Sequence, residues 1–248
     1  PVAAIGWVTS IVQRAAASQK RINEFLQESP DIVNNHAEIG EMIEGKFELN
    51  NVSLTYPDSG IEALSRINLT IDKGSSIAIL GRTGSGKSSI AALLTRTYDP
   101  TKGVVLLDGR DIRDHDLDMV RHSVGYVPQE VFLFSDTIGN NISFGIDPDD
   151  NNGPQMNQII TDAAERADIL QSIQAFPDGM DTYIGERGIT LSGGQKQRIS
   201  IARAIARNPK ILIFDDCLSA VDTETEEKIL THLRKVTQGR TTVIISHR

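Results

Sequence analysis

The sequence predicts an α/β protein with a largely parallel central sheet, and three observations support that class. Short apolar runs alternate along the chain with segments of helical periodicity. One apolar run leads into a glycine-rich loop, and another ends in a carboxylate. Because strand–helix alternation places parallel strands beneath covering helices, this order favours an α/β core over an all-helical or all-β fold.

The individual elements follow from local patterns. Apolar and β-branched runs predict strands at 46–54, 64–71, 76–80, 104–107, 211–214 and 242–245. Apolar residues at helical spacing predict helices at 1–28, 155–175, 192–207 and 223–236. The helical stretch at about 137–207 is expected to form a separate lobe beside the sheet.

Three regions are predicted along the chain. Residues 1–28 form an amphipathic helix, residues 29–45 form a polar linker, and residues 46–248 form a globular domain. The first residue is Pro1 rather than methionine, and the last is Arg248. We therefore expect an excised piece of a longer protein, with the globular domain truncated at its C-terminus.

Composition argues against several functional classes. The 248 residues carry a net charge of −8 and include one cysteine. A negative balance argues against a basic surface for nucleic acid or anionic lipid, and a single cysteine excludes a disulfide framework. The sequence has no apolar run of the ~18 residues that a membrane-spanning helix needs.

A phosphate-binding motif lies between a predicted strand and a predicted helix. Residues 81–88 read Gly-Arg-Thr-Gly-Ser-Gly-Lys-Ser and fit the pattern G-x-x-x-x-G-K-[ST]. Glycines let backbone N–H groups approach phosphate oxygens, and the helix directs its positive N-terminus at the same anion. Lys87 would reach the β- and γ-phosphates, and the Ser88 hydroxyl would bind Mg²⁺.

An acidic partner for that metal follows the apolar strand at 211–214. Asp215 comes directly after the strand. Because parallel strands end at the ligand-binding edge of such sheets, Asp215 is predicted to lie beside the phosphate-binding loop.

A second glycine motif opens the helix at 192–207. Ser192 is a predicted N-cap, and Gln195 three residues later completes a capping box. Gly193 and Gly194 exceed what a cap requires. Adjacent glycines at a helix N-terminus also suit close approach to an anion, so a plain cap and a binding function both stay open at this point.

In this order, the motifs resemble the nucleotide-binding domain of ATP-binding-cassette (ABC) transporters. The segment from Leu191 to Gln195 is similar to the family signature, and the resemblance runs from Phe47 to Arg248. The positions that match Walker A are Gly81, Thr83, Gly84, Ser85, Gly86, Lys87, Ser88 and Ser89. The other matches are the adenine-stacking Tyr56, the Q-loop Gln129, the Walker B Asp215, the D-loop Asp222 and the switch His247.

Two weaker similarities point to exporters. Residues 185–188 resemble the exporter X-loop, although Tyr183 stands where many exporters carry Glu. Residues 18–22 resemble the link that follows the last transmembrane helix of type I exporters. On this resemblance, residues 1–28 would be the cytoplasmic end and extension of that helix.

The resemblance implies a fold, a reaction and partners. The fold is a P-loop NTPase with a RecA-like core, an antiparallel β lobe and a helical lobe. Two domains would dimerise around ATP and Mg²⁺, with Ser192, Gly193 and Gly194 of one covering the ATP of the other. Gln129 would sense the γ-phosphate and join Ser88 and Asp215 at the metal. Hydrolysis would drive transport by a transmembrane domain, at the cytoplasmic face of the inner membrane and without nucleic acid.

The chain departs from the family at Asp216, where the usual residue is a glutamate that positions the attacking water. Aspartate is one methylene shorter, and water positioning is sensitive on that scale. The sequence therefore predicts slow hydrolysis at this site. Two hypotheses follow: a hydrolysis-poor, ATP-binding half of a heterodimeric exporter, or a slow homodimer in which Asp216 acts through a water.

Other P-loop functions fit less well. A small-molecule kinase would not explain the signature together with Gln129 and His247. Chromosome and DNA-repair ATPases share the signature but insert a long coiled coil between the two halves of the head. The short interval at 130–191 has no heptad run, and the net charge is −8.

Overall fold

The computed structural model describes residues 2–34, 42–146, 153–185, 191–217, 231 and 236–247. The chain divides into two compact units, Pro1–Val33 and Asn34–Arg248.

The first unit is a helix, α1 (Val2–Gln27), whose residues are all exposed. Its range agrees with the helix predicted at 1–28. None of the helices in the described part of the chain combines the length and the apolar character that a membrane span requires.

The second unit contains two sheets among its described residues. Their strands are β1 (Phe47–Thr55), β2 (Glu62–Ile71), β3 (Ser76–Leu80), β4 (Lys102–Leu107), β5 (Arg110–Asp111), β6 (Val124–Val127), β7 (Ile211–Asp215) and β8 (Thr241–Ser246). One sheet has the order β2-β1-β4-β5 and is antiparallel. The other has the order β3-β8-β7-β6 and is parallel throughout. The predicted α/β class and its parallel core are confirmed.

The second unit also contains helices. They are α2 (Lys87–Leu94), α3 (Leu117–Ser123), α4 (Ile138–Ser143), α5 (Gly153–Arg166), α6 (Leu170–Gln174) and α7 (Gly193–Ala206), with 3₁₀ turns at Ile112–Asp114 and Gly179–Asp181. Of these helices, α2, α3 and α7 contact strands of the parallel sheet. Helices α4, α5 and α7 contact one another, and α7 also packs on β6. This helical layer occupies the part of the sequence where the separate lobe was expected.

Strand β7 lies at the centre of the core and is buried on both faces. Ile211 and Ile213 pack into the cluster that includes the antiparallel sheet and α2. Leu212 and Phe214, which point the other way, pack into the cluster formed by the helical layer. A continuous apolar run is the pattern of a strand buried on both faces, which is why this element was predictable.

Some elements differ from the sequence-based expectation. The single helix predicted at 155–175 is wrong, because the chain turns between α5 and α6, where Asp168 has a φ of 56°. An aspartate tolerates this left-handed conformation, and the spacing of apolar residues does not reveal that the helix is interrupted there. Strands β5 and β6 and helices α3 and α4 were not predicted. The helix predicted at 223–236 lies mostly outside the described residues.

Asp108 joins the segment before β1 to the turn between β4 and β5. Its carboxylate accepts hydrogen bonds from the backbone N–H groups of Glu44, Gly45 and Lys46, at 2.8, 3.0 and 2.8 Å. We expect Asp108→Ala to lower the free energy of unfolding by about 2 kcal/mol, because three donors lose an ionised acceptor. Denaturant unfolding would measure this.

Two further variants sharpen the Asp108 measurement. Asp108→Asn keeps one acceptor oxygen and a residue suited to the φ of 53°, so its loss should be roughly half as large. Asp58→Ala, in an exposed turn, is the control. A loss for Asp108→Ala within the ~0.5 kcal/mol of ordinary surface changes would contradict the role assigned to this carboxylate.

Candidate functional site

A cleft of about 350 Å³ lies at the carboxyl-terminal edge of the parallel sheet. Since β3, β8, β7 and β6 are neighbours in that order, the segments that follow them meet at one edge. The residues that line the cleft are Tyr56, Ile61, Glu62, Ala63, Thr83, Gly84, Gly86, Lys87, Ser88, Ser89, Gln129, Asp215, Asp216 and His247. Tertiary pairing thus brings together most of the positions predicted from the sequence.

The phosphate-binding loop runs from the end of β3 into α2, as the motif predicts. The ammonium of Lys87 donates hydrogen bonds to the carbonyl oxygens of Gly81 and Arg82, at 2.8 and 2.9 Å. These bonds hold the ammonium within the curve of the loop. Ser88 is exposed in the cleft at the N-terminal turn of α2, where the helix dipole favours an anion.

One glycine of the loop is required by a close backbone contact. Gly86 has a φ of 86°, and a Cβ there would lie 2.5 Å from the carbonyl oxygen of Ala63. A Cβ on Gly81 would lie 2.8 Å from the hydroxyl oxygen of Ser85, which is a side-chain atom that can rotate away. Gly86 therefore lets the loop lie against β2, which shapes one wall of the cleft.

Tyr56 forms the other end of the cleft, directly after β1. Its hydroxyl lies 2.8 Å from the hydroxyl of Ser89, which is buried at the start of α2. The Tyr56 ring also meets the ring of Tyr98 edge to face, with centroids 5.0 Å apart. These two contacts hold an aromatic ring beside the phosphate-binding loop, as a base-stacking role requires.

Asp215 is the buried acid of the cleft, with 3% of its surface exposed. One carboxylate oxygen, Oδ2, accepts a hydrogen bond from the hydroxyl of Tyr126 at 3.3 Å. Burial and the charge of Asp215 raise the pKa of Tyr126, so the phenol keeps its proton and donates. The other oxygen, Oδ1, is buried and has no hydrogen-bond partner within the described part of the chain.

That unpaired oxygen makes the site fit a divalent cation. A buried carboxylate oxygen without a partner is costly unless a cation neutralises it. Magnesium prefers oxygen ligands, and the Ser88 hydroxyl and the Gln129 side-chain carbonyl line the same cleft. The donor set of Ser88, Gln129 and Asp215 therefore fits Mg²⁺, as the sequence predicted.

Asp216 and His247 form a direct pair at the edge of the cleft. The imidazole Nδ1 of His247 lies 2.8 Å from both carboxylate oxygens of Asp216. Since a carboxylate only accepts, Nδ1 carries the proton, and Nε2 is the acceptor of the neutral ring. The Gln129 amide nitrogen lies 3.5 Å from Asp216 Oδ2. The backbone of Asp216 has a φ of 46°, and its N–H donates to the Ile245 carbonyl at 2.9 Å.

The signature segment lies elsewhere. None of the described residues that line the cleft comes from Ser192–Gln195. Ser192 caps α7 through a capping box: its hydroxyl accepts from the Gln195 N–H at 3.2 Å, and the Gln195 side chain accepts from the Ser192 N–H at 2.9 Å. A Cβ on Gly194 would meet no atom within 4 Å. Among the described residues, the space beside Gly194 is therefore open.

Other predicted positions have mixed outcomes. Asp222 and most of the X-loop segment lie outside the described residues. Sequence reasoning did not single out Ile61, Glu62 and Ala63, which line the cleft, nor the contact of Tyr126 with Asp215. No local pattern marks these residues, because β2 and β6 reach the site only through pairing with other strands.

A lysine held in a glycine-rich loop, facing a buried carboxylate across one intervening strand, is the arrangement of P-loop nucleoside triphosphatases. Residues 64–219, more than half of the chain, match the family described as ABC transporter. The chain belongs to that family, and its fold is the ABC ATPase cassette. A second description, the central domain of helicase HerA, matches residues 16–110, which are less than half of the chain and include the phosphate-binding loop.

Several relatives match the whole chain. The uncharacterized ABC transporter ATP-binding protein YknU of Bacillus subtilis is 45% identical, over 100% of this chain and 42% of its own length. The ATP-dependent lipid A-core flippase of Pseudomonas putida is 42% identical, over 100% and 40%. The probable multidrug resistance ABC transporter ATP-binding/permease protein YheI of Bacillus subtilis is 41% identical, over 100% and 41%.

A solved structure of a bacterial Atm1-family ABC exporter with ATP bound has a TM-score of 0.86 and 37% identity. The match covers 98% of this chain and 42% of that one. The chain thus spans about two fifths of the length of the relatives that it matches.

Proposed function

We propose that this domain binds ATP with Mg²⁺, pairs with a second nucleotide-binding domain and hydrolyses ATP to drive export by a transmembrane domain. The observation that carries the proposal is the cleft, where Lys87 in a glycine-rich loop shares one cavity with Asp215, whose Oδ1 has no partner among the described residues. The direct test is ATP hydrolysis by the full chain. It should require Mg²⁺ and be lost in Lys87→Ala.

ATP would lie along the cleft between Tyr56 and the sheet edge. The Tyr56 ring would stack on adenine, and the loop residues with their backbone N–H groups would surround the phosphates. The loop positions in this role are Gly81, Thr83, Gly84, Ser85, Gly86, Lys87, Ser88 and Ser89. Ser89 contributes through the hydrogen bond that orients Tyr56.

Ser88, Gln129 and Asp215 would hold the magnesium ion. Bound Mg²⁺ would neutralise charge on the β- and γ-phosphate oxygens. The role of Asp215 is supported by its burial and its unpaired Oδ1. Gln129 also approaches Asp216, so a change in the position of its side chain at the metal would reach the hydrolytic pair.

Asp216 and His247 would carry the hydrolytic step. The Asp216 carboxylate accepts a hydrogen bond from the Nδ1–H group of His247, which orients the ring and leaves Nε2 to accept a hydrogen bond from the attacking water. Because that bond occupies the shorter carboxylate, Asp216 would act on water less directly than a glutamate would. Slow hydrolysis is therefore part of the proposal, and a hydrolysis-poor subunit of a heterodimeric exporter is the alternative.

The partner domain would supply the signature in trans. Ser192, Gly193, Gly194 and Gln195 stand at the N-terminus of α7, away from this chain's own cleft, and Asp222 would contribute from the D-loop. The absence of described neighbours within 4 Å of a Cβ at Gly194 supports an external contact there. ATP would thus lie between two domains and hold them together until it is hydrolysed.

Export is inferred from the relatives and from one surface. The named relatives include a lipid A-core flippase and a probable multidrug resistance transporter. Three aromatic rings, Phe132, Phe134 and Phe144, form an exposed cluster shortly after Gln129, with adjacent centroids 5.1 and 4.4 Å apart. An exposed apolar patch marks an interaction site, so we assign it to the transmembrane domain. On this proposal, the domain would lie at the cytoplasmic face of the inner membrane.

Asp216→Glu tests whether the short side chain of Asp216 limits hydrolysis. We expect the turnover of the full transporter to rise by about 10-fold, because the longer carboxylate can orient the water while His247 stays in reach. Phosphate release under ATP saturation would measure this. Unchanged turnover together with unchanged ATP occlusion would contradict the idea that the short side chain limits the reaction.

A further inference from the structure

We propose that Tyr126 is a positioning residue that orients the metal-side carboxylate of Asp215, and this inference rests on the proposed role of Asp215 at Mg²⁺. Tyr126 contacts Asp215 directly through its hydroxyl, at 3.3 Å from Oδ2. It is not among the residues that line the cleft, so it would act on the metal only through that carboxylate.

Strand pairing explains how Tyr126 reaches Asp215. In the parallel ladder of β6 and β7, Tyr126 pairs with Ile213, two residues before Asp215. Two residues of a strand rise about 6.5 Å, which is the reach of a tyrosine side chain leaning along its strand. The hydroxyl therefore arrives beside the last residue of β7 because of the register, and no shorter donor at this position would reach it.

This contact gives the two carboxylate oxygens of Asp215 different roles. Oδ2 accepts a hydrogen bond from the Tyr126 hydroxyl, and Oδ1 is buried without a hydrogen-bond partner in the described part of the chain. A carboxylate held at one oxygen cannot rotate freely, so the other oxygen keeps one direction. Outer-shell donors of this kind fix the orientation of metal ligands in proteins.

The test replaces only the hydroxyl, in Tyr126→Phe of the full chain. Mn²⁺ is the probe, titrated by electron paramagnetic resonance in the presence of a non-hydrolysable ATP analogue. We expect Mn²⁺ affinity to fall by about 10-fold, while affinity for the same analogue in EDTA is unchanged. Tyr183→Phe is the matched control. It loses a hydrogen bond to the Ser135 carbonyl at 2.9 Å, outside the cleft, and should keep wild-type Mn²⁺ affinity.

Asp215→Asn distinguishes the failure of this inference from the failure of the proposed function. If Asp215→Asn loses Mn²⁺ affinity and Tyr126→Phe does not, Tyr126 has no positioning role and the metal assignment stands. If Asp215→Asn also keeps wild-type affinity, the proposed role of Asp215 is wrong, and the inference is overturned with it. An equal loss of metal-free and metal-dependent affinity in Tyr126→Phe, or a melting temperature well below that of Tyr183→Phe, would show a general structural role and overturn the proposal.

Discussion

Lys87→Ala is expected to lower the rate constant for ATP hydrolysis by at least 10²- to 10³-fold. The Lys87 ammonium is held in the loop by two carbonyl oxygens, at 2.8 and 2.9 Å. It is therefore in place to meet phosphate charge without reorganisation, which is what makes a preorganised cation effective. Phosphate release by the full chain at saturating ATP and Mg²⁺ would measure the effect.

The control for this variant is Lys73→Ala. Lys73 is an exposed lysine whose ion pair with Glu44, at 2.9 Å, lies outside the cleft. It should keep wild-type hydrolysis and a wild-type melting temperature, because an exposed ion pair contributes little to stability. Wild-type hydrolysis by Lys87→Ala would exclude this cleft as the ATPase site.

Gly194→Asp is expected to prevent ATP-dependent dimerisation without destabilising the fold of the domain. A carboxylate in the first turn of α7 favours the helix, because it lies near the positive end of the dipole. A Cβ there meets no atom of the described residues within 4 Å. In the proposed dimer, however, the same carboxylate would face the γ-phosphate bound to the partner. We therefore expect an unchanged or raised melting temperature and a loss of ATP-dependent dimerisation and hydrolysis of about 10²-fold.

Gly139→Asp is the matched control for Gly194→Asp. Gly139 is also the second residue of a helix, α4, and a Cβ there would lie 3.4 Å from the Met180 carbonyl oxygen. It should dimerise with ATP as the wild type does. Size-exclusion chromatography with light scattering, with and without ATP, would measure dimerisation. Normal ATP-dependent dimers of Gly194→Asp would contradict a role for the signature in trans.

The elements that the sequence predicted are those with strong local signals. Strand β7 was predictable because its apolar run is continuous, and α7 because Ser192 and Gln195 form a capping box at its first turn. Strand β6 had no such signal. Its Gly125 is explained by packing, since a Cβ would lie 2.6 Å from the Ala204 carbonyl oxygen on α7. A requirement set by a neighbouring helix cannot be detected in a four-residue segment.

In the site too, the residues with local signals were predictable and the contacts between distant residues were not. Lys87, Asp215 and His247 were predictable because each stands in a motif or directly after an apolar strand, and the rule that parallel strands end at one edge brings them together. The pairs that orient these groups were not predictable. Tyr126 reaches Asp215 across two paired strands, and Asp216 meets His247 across another pair.

The α/β class, the phosphate-binding loop, the metal-side acid and the acidic net charge could all be predicted from the sequence alone, because loops, caps and apolar runs act over a few neighbouring residues. Folding added the order β3-β8-β7-β6, and with it the cleft. That order sets which strand ends are adjacent, and it depends on pairings between residues far apart in the chain. It is therefore the three-dimensional structure that buries Asp215 Oδ1 without a partner among the described residues, joins Asp216 to His247, and keeps the signature glycines away from their own cleft.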